Sequence, residues 1–434
     1  MSKQTLSALI AIQVLFAGIV CSSQTSNANI VKLSKSDQRV YISQAHMQFT
    51  LDLLSTFIAE RFNMKTHLLD SFVVSPLSAQ TVLMMLHLGA KGTTKAEISH
   101  ALYLSKLDNN VTFSTTHEIF GNAIKNLLQD NAISNSLSIG NQVFLRKDLQ
   151  IAPTYKLALT HYYGTSLTPT DFGRDSLRLI NDFVAKQTKG LINNFLNTPP
   201  SPTTGLMAIN ALYFKGSWQY KFDERDTEND AEFHLTNGQR VKISMMIGKF
   251  PVAYGYSPSL KASIIELPYN TQRLGLFLLL PDTNNGLFRL VRTLNATSFT
   301  HCITSMRKSK GDEINVRIPK FDIESMPSLT TLLRNSLGLR TLFSNGEADL
   351  SGMFSRPSGP IQLNEFVHRA ILKIDESGSI GVAATAAIAE RIGSFSGKFF
   401  EADHPFLFFL TDKQSGIILF AGVYSGPKDH KYKQ

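Results

Sequence analysis

Residues 375–393 read DESGSIGVAATAAIAERIG, a run of small residues that contains no proline. Such a segment can slide between two existing strands and gain backbone hydrogen bonds there, whereas a bulky side chain pointing inward would block it. Alanine favours helix, while threonine, valine and isoleucine tolerate a strand. The run taken alone therefore leaves two interpretations open, an inserting strand or a short alanine-rich helix on the surface.

The segments on either side of this run indicate β-strands. Residues 367–374 before it are apolar and strand-like. Residues 406–410 and 417–424 after it are separated by a short turn and predict a hairpin. Residues 274–280 form a continuous apolar run, which is typical of a strand buried on both faces.

Helical signals are interleaved with these strands. Ser75 and Pro76 favour a helix start, because serine caps the N-terminus and proline fits the first turn, and Gly89 predicts the end of that helix. Residues 175–189 predict a second helix from their apolar spacing. Helices do not alternate regularly with the strands, so the pattern favours an α+β fold over a doubly wound sheet.

Length and composition narrow the class of protein. The chain has 434 residues, of which 43% are hydrophobic and 18% are charged. A chain this apolar can bury enough surface to offset its ordering entropy, which excludes a disordered or fibrous protein. Length alone would predict about two to three domains, although no repeat marks a boundary.

The first residues predict a secretory leader and thus an extracellular protein. Lys3 precedes an apolar run at 6–20 that is short for a bilayer span, and small residues suited to cleavage follow. We therefore expect residues 1–23 to be a signal peptide rather than a membrane anchor. The sequons at Asn110 and Asn295 predict N-glycosylation on the same route.

The cysteine content predicts a fold without disulfides. Cys21 would be lost or left at the terminus on cleavage of the leader, so Cys302 stands alone. No histidine or asparagine motif lies beside Cys302 to activate its thiol. We therefore expect Cys302 to be a small buried residue rather than a reactive group.

The net charge of +9 raises the question of a polyanionic partner. The densest basic clusters are 307–310 and the C-terminal lysines, and neither has the interleaved aromatic residues of a nucleic-acid platform. We expect no nucleic-acid partner, and no second apolar run predicts a membrane contact. A weak contact with a glycosaminoglycan stays open as an alternative.

The sequence also lacks the common motifs of enzymes and metal sites. It contains no G-x-S-x-G elbow, no phosphate-binding loop, no H-E-x-x-H motif and no paired-cysteine site. We therefore expect no catalytic residue, no metal ligand and no cofactor. An enzyme would have to assemble its site from distant segments.

Four stretches together resemble the serpin superfamily. FVVSPLS at 72–78, followed by LGA at 88–90, resembles the second helix of that family, and NALYFKGSW at 210–218 resembles the central strand that leads to its breach. VHRA at 367–370, followed by DESGS, resembles the strand and hinge before the reactive loop. DHPFLF at 403–408 resembles the C-terminal signature. The four occur in the right order along nearly the whole mature chain.

The resemblance implies one domain over 24–434, an α+β serpin fold with three β-sheets, about nine helices and an exposed reactive-centre loop at about 377–400. It implies a secreted, monomeric serine protease inhibitor rather than an enzyme. The target protease attacks the loop as a substrate, the cut loop enters the large sheet as an extra strand, and the covalently attached protease is distorted.

The hinge of that loop is the part that would decide insertion. Small residues at the inward alternate positions permit insertion, while Ile380 and Val382 depart from the family's usual glutamate and alanine at positions expected to face outward. The insertion rate stays open for that reason. The resemblance assigns the hinge to Glu376, Gly378, Ser379, Gly381, Ala383, Ala384 and Thr385.

Two further regions of the serpin family, the shutter and the breach, match single residues of this sequence. Ser75, Ser78, Asn210 and His368 match the shutter beneath the sheet that must open. A plainer interpretation makes them one helix cap and satisfied polar groups of the core. Trp218 matches the breach where the loop first enters, and its plainer interpretation is a core aromatic residue.

The reactive bond would set the target. The family's usual hinge length places the cut between Ile392 and Gly393, and a hinge one residue shorter places it between Arg391 and Ile392. An exposed arginine suits a protease with a carboxylate in its primary pocket, which favours Arg391–Ile392 and a trypsin-like protease. An elastase-like cut after Ile392 is the alternative.

The competing function is that of a non-inhibitory serpin that carries a ligand.

Overall fold

The computed structural model describes residues 34–104, 113–134, 136–308, 313–356, 361–377 and 398–427. Three short 3₁₀ turns accompany the helices at Glu224–Asp226, Thr341–Phe343 and Ser351–Met353. The α-helices of these residues are α1 Lys35–Arg61, α2 Pro76–Gly89, α3 Gly92–Ala101, α4 Phe113–Leu128, α5 Asn131–Ser134, α6 Pro153–Tyr163, α7 Arg174–Gln187, α8 Leu287–Thr293, α9 Ala296–Ser305 and α10 Leu329–Asn335.

Helix α2 begins and ends where the sequence predicts. The Ser75 hydroxyl accepts a hydrogen bond from the Ser78 backbone N–H at 3.3 Å, and Pro76 occupies the first turn. Gly89 is the last helical residue, and close packing requires a glycine there, since a Cβ would lie 2.2 Å from Cγ of Met353. The second predicted helix is α7, shifted toward the N-terminus by one or two residues at each end.

The strands are more numerous than the helices and mostly short. In chain order they are β1 Phe62–Asn63, β2 Leu68–Leu69, β3 Phe72–Val74, β4 Leu137–Arg146, β5 Thr168–Thr170, β6 Leu206–Phe214, β7 Glu228–His234, β8 Arg240–Phe250, β9 Ala253–Ser257, β10 Ala262–Pro268, β11 Leu274–Pro281, β12 Arg307–Lys308, β13 Ile314–Pro319, β14 Phe321–Ser325, β15 Leu363–Ile374, β16 Phe399–Glu401, β17 Phe406–Asp412 and β18 Ile417–Tyr424.

A five-stranded sheet, which we call the large sheet, has the order β14-β15-β6-β4-β5. Its central strands β15 and β6 are parallel, with His368 opposite Asn210 and Leu372 opposite Phe214. Strands β14 and β4 flank this pair and run antiparallel to their neighbours β15 and β6. The sheet therefore has a parallel pair, β15–β6, between two antiparallel pairs, and a second parallel pair, β4–β5, at its edge.

The remaining strands form three further sheets. A seven-stranded sheet has the order β12-β9-β10-β11-β17-β18-β3, and a four-stranded sheet has the order β16-β13-β8-β7. The predicted hairpin is the antiparallel pair β17–β18, and every residue of the predicted buried strand β11 is buried. The fourth sheet is only the short pair β1–β2.

The large sheet is covered on one face and in part on the other. One face contributes to the main core, which also contains apolar residues of α1, α2 and the seven-stranded sheet. On the other face Ile180 and Val184 of α7 pack with Phe144, Met207 and Ile209 of the sheet. Strand β6 is accordingly almost fully buried along its length.

The α+β class is confirmed, with three larger sheets as expected. The small β1–β2 pair adds a fourth sheet to them. The described residues contain ten helices instead of about nine, and α5 among them is a single turn of four residues.

Candidate functional site

The two central strands of the large sheet end at the same pole, because they are parallel. The segments that follow them are joined by backbone hydrogen bonds: Trp218 N–H donates to the Ser377 carbonyl at 3.3 Å, and Phe222 N–H donates to the Glu376 carbonyl at 3.1 Å. The chain that leads to residue 378 therefore begins at the end of the β6–β15 pair.

A buried polar network ties these two strands to α2. His368 of β15 and Asn210 of β6 lie opposite each other, and Nδ1 of His368 is 3.0 Å from Oδ1 of Asn210. The Ser75 backbone N–H donates to Nε2 of the same ring at 3.2 Å. The structure thus brings the predicted shutter residues Ser75, Ser78, Asn210 and His368 together at the N-terminus of α2.

The hydrogen bonds of His368 define its protonation. Because Nε2 accepts from Ser75, the proton lies on Nδ1, which donates to Asn210. Complete burial lowers the pKa of His368 to about 3, because charging the ring would cost its solvation. The ring is therefore neutral at physiological pH and holds β6 and β15 together through a neutral hydrogen bond.

Asn141 is a further polar residue of this region that sequence reasoning missed. It lies on β4 directly opposite Asn210, so that Asn141, Asn210 and His368 form a row across three strands. Asn141 interrupts a mostly apolar strand, and that interruption was the available signal. Asn210 of β6 therefore has a polar residue opposite it on each neighbouring strand, Asn141 on β4 and His368 on β15.

Trp218, which matches the breach of the resembled family, lies beside the segment that follows β15. Its ring is 3% exposed and stacks on Tyr269 with the ring centroids 4.4 Å apart. Its indole Nε1–H donates to the Asp375 carbonyl at 2.8 Å. Trp218 is therefore a core aromatic residue that also holds Asp375 after β15, and its role in loop entry stays a prediction.

Glu376 is fixed at the base of the hinge by two side chains, an arrangement we call the hinge clamp. Lys320 Nζ lies 2.8 Å from Oε2 of Glu376, and the Thr227 hydroxyl donates to Oε1 at 2.8 Å. Burial by itself would raise the pKa of Glu376, but these hydrogen bonds and the charge of Lys320 outweigh it, so the pKa is lowered. Sequence reasoning named Glu376 but missed both partners, which are distant in the chain.

Several predicted residues lie outside the described part of the chain. They include the predicted leader, one sequon and the reactive bond. Asn295 is described: it is exposed and caps α9, with Oδ1 accepting from Ser298 N–H at 2.9 Å. Cys302 is buried, and burial raises the pKa of its thiol. The predicted residues outside the described part are 1–23, Asn110, Gly378, Ser379, Ile380, Gly381, Val382, Ala383, Ala384, Thr385, Arg391, Ile392 and Gly393.

Comparison with known proteins identifies the family. A family model described as serpin, serine protease inhibitor, matches residues 44–427. The chain is a serpin. It is 32% identical over 394 residues to the leukocyte elastase inhibitor of Homo sapiens, covering 89% of this chain and 99% of that protein. The relatives that carry functional names are named as inhibitors, so this serpin belongs with protease inhibitors rather than enzymes.

Solved structures agree with this fold. A tumour-suppressing serpin superposes with a TM-score of 0.74 at 25% identity, covering 89% of this chain and 99% of that one. Human thyroxine-binding globulin in complex with thyroxine gives a TM-score of 0.76 at 23% identity, covering 90% and 100%. Within the described residues, no helix is long and apolar enough to cross a membrane.

The neutral state of His368 predicts a pH dependence of stability. Its pKa is about 3 in the folded protein and about 6.5 in the unfolded protein. Between these two pH values only the unfolded state takes up a proton, so the free energy of unfolding decreases as the pH falls below about 6.5. From pH 7.5 to pH 5.0 the wild type should lose about 2 kcal/mol more unfolding free energy than His368→Gln. Urea denaturation at both pH values measures the difference, and equal losses would contradict the assignment.

The hinge clamp predicts a local change that Trp218, the single tryptophan of the chain, can report. Lys320→Met should cost about 1–2 kcal/mol, at the lower end because Lys320 is 44% exposed, and should increase acrylamide quenching of Trp218 fluorescence. Lys413→Met is the matched control. It breaks an ion pair of the same kind, in which Lys413 Nζ lies 2.7 Å from Oε1 of Glu266, and this pair does not involve the hinge. Equal quenching in the two variants would argue against a clamp.

Proposed function

We propose that this serpin is secreted and inhibits a serine protease by a suicide-substrate mechanism. The protease serine attacks the carbonyl carbon of the residue before the reactive bond. An ester forms, the peptide C–N bond breaks, and the new amino terminus leaves with the C-terminal part of the chain. The loop that stays attached to β15 then carries the acylated protease.

The observation that carries this proposal is the parallel β6–β15 pair, with the loop starting at its end. A chain that leaves β15 and turns back between these strands would run antiparallel to both of them. Two antiparallel ladders would replace one parallel ladder, and antiparallel pairing is slightly more stable per residue. The twelve residues 378–389 match the twelve residues of β15 in length.

The composition of the loop supports its entry. If residues alternate between the two faces, Gly381, Ala383 and Thr385 point to the same face and are all small. Ile380 and Val382 would point to the other face. Small residues on the inward face limit the volume that the core must accommodate, since protein interiors are already close-packed.

The uncut state would then be a kinetic trap, because strand formation by the loop is favourable but prevented while the loop is intact. This part of the proposal needs no cofactor and no partner other than the protease. It also requires that the large sheet can part between β6 and β15, which is where the His368–Asn210 hydrogen bond lies.

The leader at 1–23 and the two sequons support secretion of one domain over 24–434. Asn295 suits glycosylation, because its Oδ1 caps α9 and it lies on the surface, where an amide nitrogen can carry a glycan. Secretion, glycosylation and the monomeric state are part of the proposal.

Two target classes are supported by different observations. Arg391 suits a trypsin-like protease, because an arginine in the loop pairs with a carboxylate in the primary pocket. The relative named leukocyte elastase inhibitor supports an elastase-like protease, which would cut after Ile392. We propose Arg391–Ile392 as the reactive bond, with Ile392–Gly393 as the alternative.

Loop insertion is tested by a matched pair of substitutions. Thr385→Arg places a long charged side chain at an inward position and should reduce the yield of SDS-resistant protease complex at least about tenfold, because insertion would bury an unpaired charge. Ala384→Arg, at the neighbouring outward position, should keep most of the complex. Equal yields from the two variants would overturn insertion in this register.

The reactive bond is tested by incubating the protein with trypsin and with elastase and sequencing the released C-terminal peptide. A peptide that begins at Ile392 supports the arginine site, and Arg391→Ala should then abolish the trypsin complex. A peptide that begins at Gly393 would overturn the arginine site and support the elastase-like alternative.

A ligand carrier without inhibitory activity is the second candidate, and the bulky Ile380 and Val382 favour it if they slow insertion. Heat stability separates the two functions. Cleavage should raise the melting temperature of an inhibitor by well over ten degrees, since an added central strand is a large stabilisation. An unchanged melting temperature, with no covalent complex, would support the carrier.

A further inference from the structure

Two buried histidines face each other between helices α2 and α4, away from the residues assigned to the hinge, shutter and breach. His87 lies in the last turn of α2, His117 lies in the second turn of α4, and both residues are fully buried. Nδ1 of His87 is 3.2 Å from Nε2 of His117. We call these two residues the histidine pair. Charging either ring at this place would remove a charge from water, so the pair is sensitive to pH by its position alone.

The packing of α4 explains the position of His117. At helical spacing His117 belongs to the same buried stripe as Phe120 and Ile124, so it takes a place that an apolar residue would normally fill. Gly121, one turn after His117, lets α4 approach α6 closely, since a Cβ there would lie 2.3 Å from the Tyr162 carbonyl oxygen. This close approach brings His117 within reach of both α2 and α6.

The histidine pair is the middle of a hydrogen-bond network that joins four helices. Nε2 of His87 is 2.8 Å from the Ser99 hydroxyl oxygen on α3, and Nδ1 of His117 is 2.5 Å from the Tyr163 hydroxyl oxygen on α6. Both nitrogens of each ring are therefore engaged. Each contact of the neutral network needs one hydrogen, so the donors all point from Tyr163 towards Ser99 or all point in the reverse direction.

The network limits the number of protons that the pair can hold. One added proton makes the outer nitrogen of each ring a donor, and the three contacts are kept because the hydroxyls of Ser99 and Tyr163 can both accept. A second added proton would place two N–H groups face to face across 3.2 Å, where they repel each other. The assembled pair therefore takes up one proton at most, whereas the two rings take up two in water.

The surroundings make even the first proton costly. The titratable groups around His117 are His87 on α2, Lys95 on α3, and Tyr162 and Tyr163 on α6. Burial lowers the pKa of His117 well below its ordinary value, and the charges of His87 and Lys95 lower it further. Burial also raises the pKa of Tyr163, so its hydroxyl keeps its proton. The assembled pair is therefore neutral at physiological pH.

We propose that the histidine pair is an acid-operated release for helix α4. At neutral pH the uncharged rings connect α4 to α2, α3 and α6 through the network. As the pH falls, protons bind mainly when α4 moves away and the rings reach water, so acid favours the released state. For an ordinary histidine pKa of about 6.5, each proton that binds only on release raises the opening equilibrium about thirtyfold between pH 7.5 and pH 5.0.

This release is separate from the acid response of His368. His368 lies on β15 and contacts Asn210 and the N-terminus of α2, whereas His87 lies at the other end of α2. Opening of α4 exposes the histidine pair and leaves the large sheet closed. A measurement that reports on α4 alone therefore distinguishes the two.

The test is hydrogen–deuterium exchange of the whole protein at pH 7.5 and pH 5.0, read in peptides from 113–128 and corrected for the intrinsic pH dependence of exchange. The opening of α4 should increase at least about thirtyfold in the wild type. In the double variant His87→Gln with His117→Gln it should change less than about threefold, because the amides can form hydrogen bonds but do not titrate. The matched control is His100→Gln, which removes an exposed histidine beside Ser99 and should keep the wild-type response.

Urea midpoints at pH 7.5 near the wild-type value verify that the variants fold. If the double variant is destabilised, the single variant His117→Gln replaces it and should respond to acid less than the wild type, because one of the two protons is no longer taken up on release.

Three outcomes would overturn the inference. The α4 peptides of the wild type open equally at both pH values, the variants without the pair respond to acid as strongly as the wild type, or His100→Gln abolishes the response. The second outcome would assign the acid response to other groups, and the third would assign it to surface charge. The test is independent of protease inhibition, because it uses no protease and none of the loop variants.

Discussion

The parallel pairing of β6 with β15 is the interaction on which the rest of this molecule depends. If these two paired strands part, a strand that runs antiparallel to both can pair with each of them, and the chain that leaves β15 starts at the pole where both strands end. Helix α2 supports the pair from the main core, and α7 packs on part of the other face. The proposed inhibitor thus has its point of entry built into the centre of its largest sheet.

The β6–β15 pair and the segment that follows β15 are held by contacts of different kinds. In the middle, His368 joins Asn210 and Ser75 through neutral hydrogen bonds in a fully buried site. At the end, the carboxylate of Glu376 pairs with Lys320, whose side chain remains 44% exposed. The buried contact is neutral, and the charged contact lies where water can reach one partner. In both places the desolvation cost of the contact is therefore kept low.

Local signals explain what the sequence predicted about the fold. Ser75, Pro76 and Gly89 delimit α2, and uninterrupted apolar runs predicted β11 and the β17–β18 hairpin. The shutter residues were found only through resemblance to a family, because their side chains meet across 158 and 293 positions of the chain. Lys320 and Thr227 carry no local signal, since tertiary packing alone brings them to Glu376.

The chain has only two cysteines, and none lies in the large sheet. No disulfide therefore has to break when β6 and β15 separate. Their backbone hydrogen bonds would be exchanged for those of an entering strand, so the net loss is confined to side-chain contacts such as His368–Asn210. Parting two neutral groups costs about 1–3 kcal/mol for each group left unpaired, whereas parting a buried ion pair would cost more. A neutral histidine at this position holds the sheet closed, and the proposed opening would cost less than it would with a buried ion pair there.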